Sequence, residues 1–95
     1  MNIATPITIE KDLLPTLRFP QDEVLTDPAQ LTQRRIEAQR AVKLGNNYKG
    51  KVRIVFEDND SIKMVETTIW GVTGKYLILK SGMLIPIKRV HEIII

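Results

Sequence analysis

The sequence predicts a mainly β domain with one N-terminal α-helix: a five-stranded, antiparallel, strongly bent small barrel with a 3-10 turn before its last strand. Three observations predict it. A capped amphipathic helix precedes Gly45, and the apolar period changes to two after Asn47. The closing stretch "MLIPIKRVHEIII" then spaces Ile87, Val90 and Ile93 three apart. A strand cannot place such residues on one face, whereas a single 3-10 turn through "KRV" between two strands can.

The elements follow in order. Residues 1–26 are punctuated by Pro6, Pro15 and Pro20, each of which removes a backbone donor and pushes its predecessor towards extended geometry. They form an extended, proline-containing arm, with "ITIE" as a short edge strand and "LLPTLRFP" carrying side chains to pack; a mobile tail is the alternative. Residues 27–95 form a single domain. In "TDPAQL", Asp27 is the N-cap, Pro28 takes the first helical position and Gln30 the third, a capping box with the favoured proline. Good helix formers follow as far as Leu44, and Gly45 reads as a left-handed cap, so the predicted helix is 28–44. Leu31, Ala38, Ala41 and Val42 share one side of it, with Arg34, Arg40 and Lys43 largely off that stripe.

The predicted barrel spans 50–95. "KVRIVFE" alternates Val52, Ile54 and Phe56 against Arg53, Val55 and Glu57, and "DND" is a turn. "SIKMVETTIWGV" is a longer β-branched run in which Gly71 marks a bend or bulge. "YLILK", "MLIPI" and "HEIII" are the remaining strands, and short turns make neighbours antiparallel. The terminal isoleucines are apolar because they close the barrel.

Composition narrows the function classes. The chain has 95 residues and no cysteine, so disulfide and thiolate metal sites are excluded. No apolar run reaches membrane-spanning length and the N-terminus lacks the pattern of a signal peptide, so a cytoplasmic protein without a membrane partner is expected. The net charge is +3. Residues 1–47 balance six cations against six acids, whereas residues 48–95 carry eight cations against five acids.

Few residues suggest chemistry. Lys88 and Arg89 lie in a turn between strands, where they either contact phosphate or are simply solvated. Arg34, Arg35, Arg40 and Lys43 make the helix basic, giving either one side of a nucleic-acid track or a solubilising face paired with Glu37. By strand parity Val65, Thr67 and Ile69 face inward with Leu77 and Leu79. Thr68, Trp70, Tyr76 and Ile78 then face outward, as a base-stacking platform or as the floor on which the helix packs. His91 stands without a second histidine or an acid at ligand spacing, so no metal is expected; a pH-sensitive contact is its other role. No phosphate loop or nucleophile motif is present, the acids of "EDND" suit a turn, and neither catalysis nor a cofactor is expected.

A leading helix, "KVRIVFED", a long bent strand, "KYLILK" and "LIPIKRVHEI" occur in the order of the Sm-like fold. Residues 30–95 thus resemble the Sm-like and SH3-like small barrels, and loosely the bacterial Sm-like RNA chaperones. The resemblance implies RNA association, with Lys88 and Arg89 at the turn where those chaperones carry basic residues. The stretch "VETTIWGVTGKYLILKSGMLIPI" is also similar to a family of short bacterial proteins, which brings no function with it. Two functions therefore stand. The first is a nucleic-acid (RNA) binding module, with Lys88, Arg89, Lys75, Arg34, Arg35 and Arg40 on phosphates and Trp70 or Tyr76 stacking. The second is a protein-interaction or self-assembly module that uses the arm and the edge strand. Unpaired edges and terminal isoleucines favour a homo-oligomer, unless the arm folds back over the edge.

Overall fold

The structure, a computed structural model, describes residues 5–95. The first four residues of the predicted arm lie outside the described residues. The described residues form a mixed α/β domain, with one long helix, seven strands and three short 3-10 segments among them. Strands β1 (Ile7–Thr8), β2 (Val52–Glu57), β3 (Ile62–Thr67) and β7 (Val90–Ile94) form a sheet in the order β1-β3-β2-β7. Strands β4 (Ile69–Val72), β5 (Tyr76–Leu79) and β6 (Leu84–Pro86) form a second sheet in sequence order.

The predicted five strands account for the seven. The long run divides at Thr68 into β3, which pairs with β2, and β4, which pairs with β5. The arm contributes the other addition, β1, which pairs with β3 in parallel, so the first sheet is mixed rather than wholly antiparallel. The expected closed barrel is likewise corrected to two open sheets. The break at Thr68 hands the chain from one sheet to the other. At the far end the 3-10 turn Ile87–Arg89 separates β6 from β7, and no ladder joins them.

The core lies between the sheets. Val52, Ile54, Phe56, Val65, Val90 and Ile93 from the first meet Ile69, Leu77, Leu79 and Ile85 from the second. Ile87 packs against this cluster beside Val90 and Ile93, so the three-residue spacing does converge on one interior through the 3-10 turn. The arm belongs to the core as well. Leu14, in the 3-10 helix Lys11–Thr16, is buried in the cluster, and Ile9, Leu17 and Phe19 pack against it.

Helix α1 runs Pro28–Tyr48, one turn beyond the predicted 28–44. The Asp27 carboxylate accepts from the Ala29 N–H at 2.9 Å, and Pro28 opens the helix as expected. The left-handed cap is Lys49, with φ 53°, rather than Gly45. Gly45 sits inside the helix for a different reason. A Cβ there would come 2.4 Å from the Ile69 carbonyl oxygen and 2.9 Å from the Thr68 Cγ2. The buried stripe is Arg34, Ala38, Ala41 and Gly45; the other two predicted members, Leu31 and Val42, are only half-buried. The helix packs on β4 and β7, one strand from each sheet, and so spans the gap between them.

Each sheet edge is managed within the chain. At β7, Arg34 donates to the Val90 carbonyl at 2.9 Å and the Glu37 carboxylate accepts from the Ile93 N–H at 3.4 Å. β1 occupies the outer edge of β3, and the Ile9 N–H extends it by donating to the Met64 carbonyl at 2.9 Å. On β6, Pro86 removes a donor from the exposed edge, a device that blunts strand-to-strand association. The uncovered edges that favoured a homo-oligomer are thus largely covered by the arm and the helix. Ile94 and Ile95 remain exposed.

Gly45→Ala should destabilise the fold despite alanine's higher helix propensity. The obstacle is backbone rather than a flexible side chain, so a loss of about 1–3 kcal/mol is expected in denaturant unfolding. Stability equal to or above the parent's would show that the helix does not need this close approach.

Candidate nucleic-acid interface

The cations divide into two populations. Arg34, Lys63 and Arg89 are buried. Arg34 forms a two-pronged pair with Glu23, at 2.6 and 2.7 Å, while also donating to Val90. Lys63 lies 2.8 Å from Asp58 Oδ2 and donates to Ser61 Oγ at 2.8 Å. Arg89 donates to the carbonyls of Asp22 at 2.8 Å, Glu57 at 3.0 Å and Asp58 at 3.4 Å, and lies 3.3 Å from the Asp22 carboxylate. A guanidinium with several fixed N–H groups satisfies several carbonyls at once, which suits Arg89 to tying the arm to the β2–β3 turn.

These positions correct the expected surface. Arg89 does not project outward beside Lys88. The 3-10 turn directs it inward, towards carbonyls that would otherwise be orphaned. Arg34 leaves the exposed helix face for the same physical reason, because the arm's Glu23 and the β7 edge both need a donor. Neither side chain is free for phosphate.

The same network holds two carboxylates below their ordinary range. For Asp58, burial pushes the carboxyl up, but hydrogen bonds from Lys63 and from the Ser61 and Asp60 N–H groups outweigh it. For Glu23, burial again opposes, and Arg34 with the Leu25 and Val24 N–H groups prevails. His91 Nε2 lies 2.8 Å from Glu57 Oε1, so the histidine has a local acid partner. Among the described residues no group of histidine, cysteine and carboxylate side chains could hold a metal ion.

The second population is exposed. Residues 67–91 contain four cations, Lys75, Lys80, Lys88 and Arg89, and no acid between Glu66 and Glu92. With Arg89 turned inward, three exposed lysines remain around the second sheet, and none takes part in an ion pair among the described residues. Lys80 was absent from the sequence-derived candidates. The acid-free stretch is the signal that would have found it.

The structure gathers three of the predicted residues in one groove of about 560 Å³. Lys75, Tyr76 and Lys88 line it with Phe19, Pro20, Leu84 and Pro86. On the other side of the turn at Gly74, Arg35 borders a second cleft of about 450 Å³, lined mainly by Leu31, Val72, Leu77 and Ile87. Arg40 is exposed on the helix and lines neither cleft.

The outer face of the second sheet follows from the pairing. Tyr76 stands opposite Pro86, and Ile78 lies between Leu84 on one side and Gly71 on the other. The register shifts between Ile69 and Gly71, and Trp70, at the bulge, is 49% exposed beside the buried Ile69. Trp70 and Tyr76 therefore point outward as strand parity requires. Thr68, expected outward, is buried, and its methyl lies against the helix at Gly45. The helix packs through Gly45 at the Thr68–Ile69 backbone and through Arg34 at β7.

No helix among the described residues is long and apolar enough to cross a membrane. No protein-family model, curated protein or solved structure matches the chain.

The two depressed carboxylates set the acid side of the stability curve. Their folded pKa values lie below the unfolded values of about 3.9 for Asp and 4.3 for Glu, so their contribution is complete above those values. It is lost as pH falls through the folded values. Denaturant stability should therefore decline below about pH 4. Asp58→Asn should be less stable than the parent at pH 7, because Lys63 loses its charged partner, and its acid decline should be shallower. Parallel curves for parent and variant would remove Asp58 from this role.

Proposed function

We propose that this chain is a non-enzymatic binding module for nucleic acid, RNA in particular, and that the face of the second sheet is its contact surface. The observation that carries this is the acid-free stretch around β4, β5 and β6, with Lys75, Lys80 and Lys88 exposed and unpaired about Tyr76 and Trp70. Lysines that are not held in an ion pair remain available to phosphate. An aromatic ring set among them offers a base a surface on which to stack. Arg35 extends the positive edge past the Gly74 turn.

The finer fold reading supports the same proposal by analogy only. A strand that bends between two sheets, with a 3-10 turn before a last strand that returns to β2, is the layout of Sm-like and SH3-like barrels. A shared layout implies no shared site. In particular, Arg89 is occupied internally, so the basic pair expected at that turn is reduced to Lys88.

The alternative, a protein-interaction module working through the arm, has less support. The arm's Leu14 and Leu25 are buried within the chain, and its β1 is already spent on β3. Self-pairing through the lysine-bearing face would bring like charges together, which disfavours a homo-oligomer formed by that face.

Release of ~3 counterions from a single strand should weaken RNA affinity about 20-fold between 50 and 200 mM salt. Lys75→Glu/Lys88→Glu should abolish binding while circular dichroism and melting temperature stay near the parent's. Arg40→Glu should change affinity little. A double variant that binds like the parent, or equal affinity for heparin, would overturn the proposal.

A further inference from the structure

Resting on that reading of the lysine-bearing face, we infer that the nucleic acid it takes is single-stranded, and that two of its bases stack side by side, one on Tyr76 and one on Trp70. The geometry of the second sheet points to this. Tyr76 is on β5 at one end of the outer face; the residue is 39% exposed and lines the groove. Trp70 is on the neighbouring strand β4, and the antiparallel register sets it towards the far end of β5 from Tyr76. Strand spacing and register put their Cα atoms roughly 10 Å apart, on neighbouring strands.

The face around them is apolar. Ile78 lies between them on β5, and Leu84, its cross-strand partner on β6, is exposed beside it. Gly71, opposite Ile78, contributes no side chain. A Cβ there would meet only the Ile78 Cδ1, at 3.7 Å. The face therefore has a low, smooth floor between two exposed rings, with lysines at its margins. Lys75 adjoins Tyr76, Lys88 borders the same groove, and Lys80 follows the end of β5.

Charge and shape select the occupant. The strands of this sheet and the turns between them carry lysines and no acid of their own, so a polyanion is matched and a second copy of this face is repelled. A duplex turns its bases inward, offers phosphates alone, and gains nothing from two exposed rings on an apolar floor. An unpaired strand offers both phosphates and the flat faces of its bases. Trp70 on a face of this charge is hence a second stacking position, extending the site beyond the groove at Tyr76.

The chain contains a single tryptophan, so its fluorescence reports this position directly. Titration with a single-stranded RNA octamer should quench it saturably, and a fully paired RNA hairpin of similar charge should not. Trp70→Ala should lose about tenfold in octamer affinity, measured by anisotropy of a labelled strand, and Trp70→Phe should retain most of it. Circular dichroism should show both variants folded at the assay temperature, although Trp70→Ala loses the buried half of the side chain and should melt lower than the parent. Octamer binding that requires Lys75 and Lys88 but leaves the fluorescence and the Trp70→Ala affinity unchanged would overturn the second stacking position and leave the groove standing. Equal binding of hairpin and octamer would overturn the single-strand preference. Failure of every RNA, with quenching by a glutamate- and phenylalanine-rich peptide, would overturn both and assign the face to an acidic protein segment.

Discussion

Most of this structure depends on one close approach, that of Gly45 to the Ile69 carbonyl. Two open sheets share a core but leave a gap along their edges, and a domain this small has little else with which to cover it. Helix α1 closes the gap by resting on β4 at one end and on β7 towards the other. It reaches β4 only because Gly45 presents no side chain to the backbone there. The small residues Ala38 and Ala41 continue the same stripe into the core. A bulkier stripe would lift the helix from the sheet, expose the core and release the Arg34 and Glu37 contacts at the β7 edge.

The arm is the second half of the closure. Its proline-broken path denies it long regular elements, yet it delivers Leu14 to the core and Leu25 beneath the chain's turn into the helix. Buried charge then locks it in place. Glu23 holds Arg34, and Arg89 gathers carbonyls from Asp22, Glu57 and Asp58. A buried charge pair is costly to desolvate, so its benefit lies less in net stability than in the penalty for any arrangement that breaks it. The network specifies where the arm sits.

That internal use of charge also shapes the exterior. Arg34, Lys63 and Arg89 each meet an acid, which takes these three cations off the surface. The segment that builds the second sheet, residues 67–91, contains no acid of its own to match the remaining lysines. An overall charge of +3 is unremarkable as a total, and its distribution is what matters. A positive, aromatic-bearing face arises because the first sheet, the arm and their turns hold the acids nearest to them.

Local chemistry alone determined several elements. The Asp27–Pro28 helix start, the alternation of β2, the bulge near Gly71 and the 3-10 turn that unites Ile87, Val90 and Ile93 each reflect constraints acting within a few residues, so they were legible in the string. The outward placement of Trp70 and Tyr76 was legible for the same reason, since strand parity is local. Only the tertiary structure decided that Gly45 is a packing residue rather than a cap, because its reason for being glycine is a carbonyl more than twenty positions away. Only the tertiary structure turned Arg34 and Arg89 inward, for their partners come from the arm and from distant turns. A sequence lists the charges; which of them cancel depends on what the folded chain brings within hydrogen-bonding distance.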